Sequence, residues 1–203
     1  LGHASFRLDS PGGKRIYVDP WLTGNPRCPE AELQPERVDL IALTHGHGDH
    51  VGDTVELWKQ FQPPVIALVE LRRWLDAQGV TGEMAHGPNK GGTLQVDGIK
   101  ITLTDANHSS SAEDGTYTGE PAGLVLELED GFKIYFAGDT NVFGDMALIR
   151  RIYQPDVAVL PENTLRLYIE FSAPMGNGAA VDFVRLLDER GREVPLPFLP
   201  VEA

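Results

Sequence analysis

Cysteine is nearly absent from this chain: Cys28 is the single one among 203 residues. One cysteine excludes an internal disulfide framework and fits a reducing compartment. No cysteine–histidine signature surrounds it, so it reads as an inert small side chain rather than a nucleophile. Long apolar runs are missing as well. None approaches the roughly 20 residues that a membrane helix needs, and no basic-then-apolar leader opens the chain. A cytoplasmic protein without a membrane partner is expected on these grounds. Leu1 is not an initiator methionine, which leaves the natural N-terminus missing or processed. Basic residues are scarce: 17 Lys and Arg stand against 30 Asp and Glu, a net charge of −13. Such a surface repels phosphate backbones, so no nucleic-acid partner is expected. No internal repeat, low-complexity tract or linker interrupts the chain.

What is present suffices for one sizeable core. With 41% hydrophobic residues, a single domain over residues 1–203 is expected. Two β-like runs, His3–Leu8 and Arg15–Val18, flank the turn Ser10-Pro11-Gly12-Gly13. Asp19-Pro20 ends the second, and Gly24–Pro35 reads as a proline-rich loop. Val38–Thr44 is apolar and bounded by breakers, as a buried strand is. Asp53–Phe61 reads as a helix, with Val55, Trp58 and Phe61 at helical spacing. Val65–Leu68 follows as a strand and Glu70–Gln78 as a helix closed by Gly79. Gly92–Val96 and Ile99–Ala106 form a hairpin across Asp97-Gly98; Ala122–Leu128 and Phe132–Ala137 form another across Asp130-Gly131. Phe143–Tyr153 and Ala179–Glu189 read as helices and Asp156–Leu160 as a strand. Two mixed sheets packed together with helices outside satisfy this order, although pattern alone leaves several topologies open.

The run Thr44-His45-Gly46-His47-Gly48-Asp49-His50 carries the chemistry. It holds three of the six histidines, and an apolar strand leads into it. Imidazole and carboxylate together suit zinc, manganese or iron. Imidazoles this close repel one another once protonated and have no apolar surface to bury, which argues against a polar loop with chance histidines. His108 stands just past the strand ending at Ala106, and Asp139 just past the strand ending at Ala137. A strand-end loop holds a ligand on a rigid support while leaving its head group free. Alone, His108 reads as a surface histidine and Asp139 as a turn aspartate; beside the histidine run both read as ligands.

The chain resembles the metallo-β-lactamase superfamily. Within it, the chain is most similar to the uncharacterised bacterial and archaeal metal-dependent hydrolases, near the branch of ascorbate-phosphate lactonases. The matching stretches are Leu1-Gly2-His3-Ala4, Ile16-Tyr17-Val18-Asp19-Pro20, Leu22-Thr23-Gly24-Asn25-Pro26 and Thr44–His50. They continue with Asn89-Lys90-Gly91-Gly92, His108-Ser109-Ser110-Ser111, Gly119-Glu120-Pro121-Ala122-Gly123 and Ala137-Gly138-Asp139-Thr140. The resemblance implies a four-layer αβ/βα sandwich with two metal positions at the sheet edge. By position, His45, His47 and His108 would hold one metal, Asp49 and His50 the second, and Asp139 would bridge them. A hydroxide between the metals would be the nucleophile, with Asp49 accepting a proton or orienting it. Asp19 matches an aspartate that supports the metal loop from behind, or is a plain turn residue before Pro20. His3 matches a family histidine near the site mouth and could contact substrate; a packed strand histidine is the alternative. His86 reads as a structural loop residue.

After Pro161 the likeness weakens. Pro174-Met175-Gly176 and Ala179–Leu187 still resemble the family's loop and helix. The family's later histidine, which completes the second metal position, has no counterpart: no histidine follows His108. The tail Val194–Pro200 carries three prolines, which makes a regular final strand doubtful. Truncation or alteration, a ligand from a partner chain, and a weak second metal all remain open. Leu165–Phe171 could be an exposed edge that pairs with another subunit, giving a homo-oligomer. The leading expectation is a metal-dependent hydrolase of a small ester, lactone or phosphoester, with one or two divalent ions. Zinc comes first, manganese or iron second. A catalytically weakened metal-binding protein and a nuclease of the same superfamily are the alternatives, and the acidic charge speaks against the nuclease.

Overall fold

The structure is a computed structural model in which residues 1–82 and 87–161 are described. Strands β1 (Phe6–Asp9), β2 (Arg15–Val18), β3 (Leu40–Ala42) and β4 (Val65–Ile66) form one sheet in that order. β1 pairs antiparallel with β2, and the rest of this sheet is parallel. Strands β5 (Thr93–Val96), β6 (Ile99–Asp105), β7 (Ala122–Glu127), β8 (Lys133–Phe136) and β9 (Val157–Val159) form the second sheet. It is antiparallel except for the β8–β9 pair. Helices α1 (Gly48–Val51), α2 (Thr54–Phe61), α3 (Val69–Ala77) and α4 (Met146–Tyr153) lie in the connections.

Alternation along the strands builds the layers. Ile16, Val18, Leu40 and Ala42 pack with Leu124, Leu126, Ile134 and Phe136 of the second sheet. Their neighbours Tyr17, Ile41 and Leu43 turn the other way, onto Leu57 of α2 and Leu71 and Leu75 of α3. On the far side, Val125, Tyr135 and Ala137 pack with Ile149 of α4. Strands covered on both faces are apolar throughout, which is why Val38–Leu43 shows no polar alternation. Each large aliphatic side chain so enclosed contributes about 1.5–3 kcal/mol. The result is the expected four-layer sandwich of two mixed sheets with helices outside.

Chain direction then gathers the chemistry. β2 and β3 run parallel, so Asp19 and the Thr44–His50 run leave the first sheet at one edge. β6 and β8 both run antiparallel to β7, so His108 and Asp139 leave the second sheet at one edge. The backbone N–H of Ala122, at the start of β7, donates to Thr44 O at 2.9 Å and joins the two edges.

Several boundaries differ from expectation. His3 is not in a strand: Gly2–Ser5 is a tight turn closed by Ser5 N–H to Gly2 O at 3.2 Å, and β1 begins at Phe6. Gly2 and His3 have φ of 98° and 52°, values at which a strand ladder cannot continue. The helix expected from Phe143 begins at Met146, because Phe143–Asp145 forms a turn with Met146 N–H donating to Phe143 O. A helical turn, Gly48–Val51, sits inside the histidine run, and a 3-10 turn at Glu30–Glu32 sits inside the proline-rich loop. His86, Leu165–Phe171, Ala179–Glu189 and Val194–Pro200 lie outside the described residues. Among the described residues no helix is long and apolar enough to cross a membrane. Burial raises the Cys28 thiol above its usual range, as befits an unreactive cysteine.

Candidate metal centre

Asp19 organises the site from beneath. Its side chain is 1% exposed and follows β2 at φ 47°. Oδ1 accepts the backbone N–H of Thr44 at 2.8 Å, and Oδ2 accepts the Thr44 hydroxyl at 2.6 Å. Oδ2 also accepts His50 Nδ1–H at 2.8 Å. Thr44 has one hydroxyl proton, and Asp19 takes it. Thr44 Oγ1 must therefore accept from His45 Nδ1, 3.0 Å away. The two histidines thus carry protons on Nδ1 and turn Nε2 to the site. A buried carboxylate behind an imidazole fixes its tautomer and raises its basicity as a metal ligand.

His47 is arranged the opposite way. Its Nε2 lies 3.4 Å from Ser109 Oγ, and its Nδ1 lies 3.0 Å from His45 Nε2. Two ring nitrogens facing each other at that distance need a proton or a cation between them. His50 Nε2 makes the same demand, being buried with no hydrogen-bond partner. It stands 3.5 Å from Asp139 Oδ2, which is itself 3.7 Å from His108 Nε2. The ligand atoms of His45, His47 and His108 lie within 4.8 Å of one another, as do those of His45, His50 and Asp139 and those of His3, Asp49 and His50. These residues offer the imidazole and carboxylate donors that hold divalent metal ions. All the sequence-predicted site residues among those described meet in this one cluster.

Charge follows the same geometry. Burial, then the neighbouring His50, push His45 down to about 3. His50 goes the other way, up to about 10: burial opposes its charge, but Asp19 and Asp139 together outweigh it. The close contact with His50 and its charge hold Asp139 down at about 2, with His45 and His108 adding to the effect. Without a cation, a proton on His50 therefore occupies the cation's electrostatic place. A ligand must shed that proton before it binds metal.

Second contacts fix the loop, and sequence reasoning had not assigned them. Ser110 Oγ accepts the N–H of Gly46 at 3.2 Å and hydrogen-bonds Thr118 Oγ1 at 2.8 Å. Gly46 has no room for a Cβ, which would collide with Thr118 Oγ1. Asn107 N–H donates to Thr140 Oγ1 at 2.8 Å and ties the His108 loop to the Asp139 loop.

A two-sheet sandwich with a histidine–aspartate cluster on its edge loops is the plan of the metallo-β-lactamase fold, and the family model described as a beta-lactamase superfamily domain matches residues 14–195. Within that class the chain belongs to the UPF0173 metal-dependent hydrolases. It is 52% identical over 165 residues to the one of Herpetosiphon aurantiacus, covering 79% of this chain and 68% of that relative. Against that of Methanosarcina mazei the identity is 40% over 195 residues, 94% of this chain and 78% of the other. Igni18, a metallo hydrolase from the archaeon Ignicoccus hospitalis, is 33% identical with a TM-score of 0.66, covering 78% of this chain and 66% of its own. The Zn2+-bound PqqB of Methylobacterium extorquens shares the fold, at 16% identity and a TM-score of 0.54, over 76% of this chain and 58% of its own. The chain thus spans about two thirds of the length of several of these relatives.

Proposed function

We propose that this chain hydrolyses a small ester, lactone or phosphoester at a two-cation centre, with zinc as the cation. The observation that carries this reading is the merging of three donor groups, through shared His45 and His50, into one cluster at the sheet edge. His45, His47 and His108 would hold the first cation and Asp49 and His50 the second, with Asp139 shared. When bound, such ions acidify a water and polarise a carbonyl or phosphoryl oxygen.

The rest of the work falls to side chains. Asp19 and Thr44 hold His45 and His50 with Nε2 turned to the site. The Asp49 carboxylate, 43% exposed and paired through Oδ2 with His3, would accept the proton of an attacking water. A cavity of about 600 Å³ opens beside the cluster, within the size range of small-molecule sites. Phe6, Val18, Phe136 and Val159 give it an apolar wall, and Asn107, Thr140 and Asn141 offer polar groups near His108 and Asp139. An organic substrate with one scissile acyl or phosphoryl group suits that lining.

The test is turnover of aryl ester, lactone and phosphodiester substrates by the zinc-loaded chain, with Asp139→Ala as the control. Loss of turnover in D139A, with thermal stability kept, supports the reading; turnover near wild type in that variant overturns it.

A further inference from the structure

Among the described residues, Asp49 and His50 offer the second cation position donors of its own and Asp139 a shared one, which leaves room for one more protein group on a four-coordinate ion. We propose that His3 is the additional protein ligand of this position, an inference that rests on the metal-centre reading above. His3 Nε2 stands 3.0 Å from Asp49 Oδ2, and His3, Asp49 and His50 bring their ligand atoms within 4.8 Å of one another. Donors about 2.0–2.1 Å from a tetrahedral ion lie about 3.3 Å from each other, so His3 and Asp49 are already spaced as neighbours on one ion. The His3 ring also meets the His50 ring edge-on, with centroids 5.3 Å apart.

The backbone is shaped to aim this ring. His3 has φ 52°, a left-handed conformation that non-glycine residues seldom adopt, and such strain gathers at functional sites. The turn is held from behind. Asn25 Nδ2 donates to Gly2 O at 3.2 Å, and a Cβ on Gly2 would collide with Arg27. Trp21 stands perpendicular to the imidazole at 5.5 Å and fixes its plane. A surface pair of His3 and Asp49, with side chains 35% and 43% exposed, gives little return for this construction by itself. A shared cation accounts for the strained turn, the fixed ring plane and the close carboxylate together.

The experiment titrates zinc alone into the full chain, stripped with chelator, by calorimetry. Wild type, His3→Ala, His3→Gln and His45→Ala are compared, with the thermal midpoint of each metal-free protein recorded. The expected result is two zinc equivalents in wild type. In H3A and H3Q the tighter equivalent is kept and the weaker one loses affinity by at least about tenfold, the scale of an altered ligand environment. Added imidazole restores part of the loss in H3A, which a structural role does not predict. H3Q keeps a hydrogen-bonding group beside Asp49 but lacks a ring nitrogen, so it decides the matter should H3A fold poorly. Two equivalents at wild-type affinity in either variant overturn the role of His3 while the metal centre stands. Equal weakening of both equivalents with a lowered metal-free midpoint overturns it as well. No zinc binding in wild type overturns the underlying metal reading and the inference with it.

Discussion

Asp19 concentrates more consequence in one residue than any of the histidines it serves. Three donors converge on its carboxylate, from Thr44 N–H, Thr44 Oγ1 and His50 Nδ1. Asp19→Ala leaves the buried His50 Nδ1–H, the Thr44 N–H and the Thr44 hydroxyl proton without their acceptor. Removing one member of a buried pair costs about 3–5 kcal/mol, and urea unfolding in chelator should show a loss on that scale. Asp19→Asn keeps the volume but removes the charge, and zinc affinity measured by calorimetry should fall about 10–100-fold. His50 gives a pH signature. Its folded pKa is about 10, above the ordinary value of about 6.5 that the unfolded chain has. The stabilisation from its charged form is therefore complete below about pH 6.5 and is lost as pH rises through about 10. Thermal midpoints in chelator should decline across that window in wild type, and His50→Gln should flatten this part of the profile. An unchanged slope in H50Q would show that His50 is not the titrating group.

At the scale of elements, the histidine loop is held by its neighbours rather than by its own propensity. The helical turn Gly48–Val51 is four residues long, too short to persist alone. It is held by the bond of His50 to Asp19, while Ser110 and Thr118 hold the loop ahead of it at Gly46. Gly46→Ala should push the loop off the Ser110–Thr118 pair and weaken the first zinc equivalent. Thr118→Ala in the same chain opens the space, so the double variant should recover part of the affinity, a coupling that a double-mutant cycle measures. Strand β3 and the helices α2 and α3 were legible in the sequence because their periodicity and breakers are local. The turn at Gly2–Ser5 was not, since His3-Ala4-Ser5-Phe6 alternates like a strand and only the φ values of Gly2 and His3 reveal the bend. Helix α4 was read three residues too long because Phe143-Gly144-Asp145 carries no strong break besides Gly144.

For the whole molecule, the candidate centre is a clasp. His45, His47, Asp49 and His50 come from the first sheet, His108 and Asp139 from the second, so bound cations would cross-link the sheets. A ligand held only by the folded state adds about 2.7 kcal/mol at one hundred times its dissociation constant. Zinc should therefore raise the thermal midpoint of wild type by several degrees, and D139A should lose much of that rise; equal rises in the two proteins would show that Asp139 takes no part. The net charge of −13 works in the same direction, since a cation relieves local repulsion among the acidic groups. The sequence by itself determined the His45–His50 run, the place of the candidate ligands at strand ends, and the pattern that makes two doubly covered sheets, because each of these is a local feature of the chain. Tertiary structure alone decided which nitrogen each histidine presents, that Asp19 and Thr44 set those choices, and that His3 stands beside Asp49. Those are distances across 25, 31 and 46 residues of chain, and no local pattern encodes a distance that only the packing of two sheets creates.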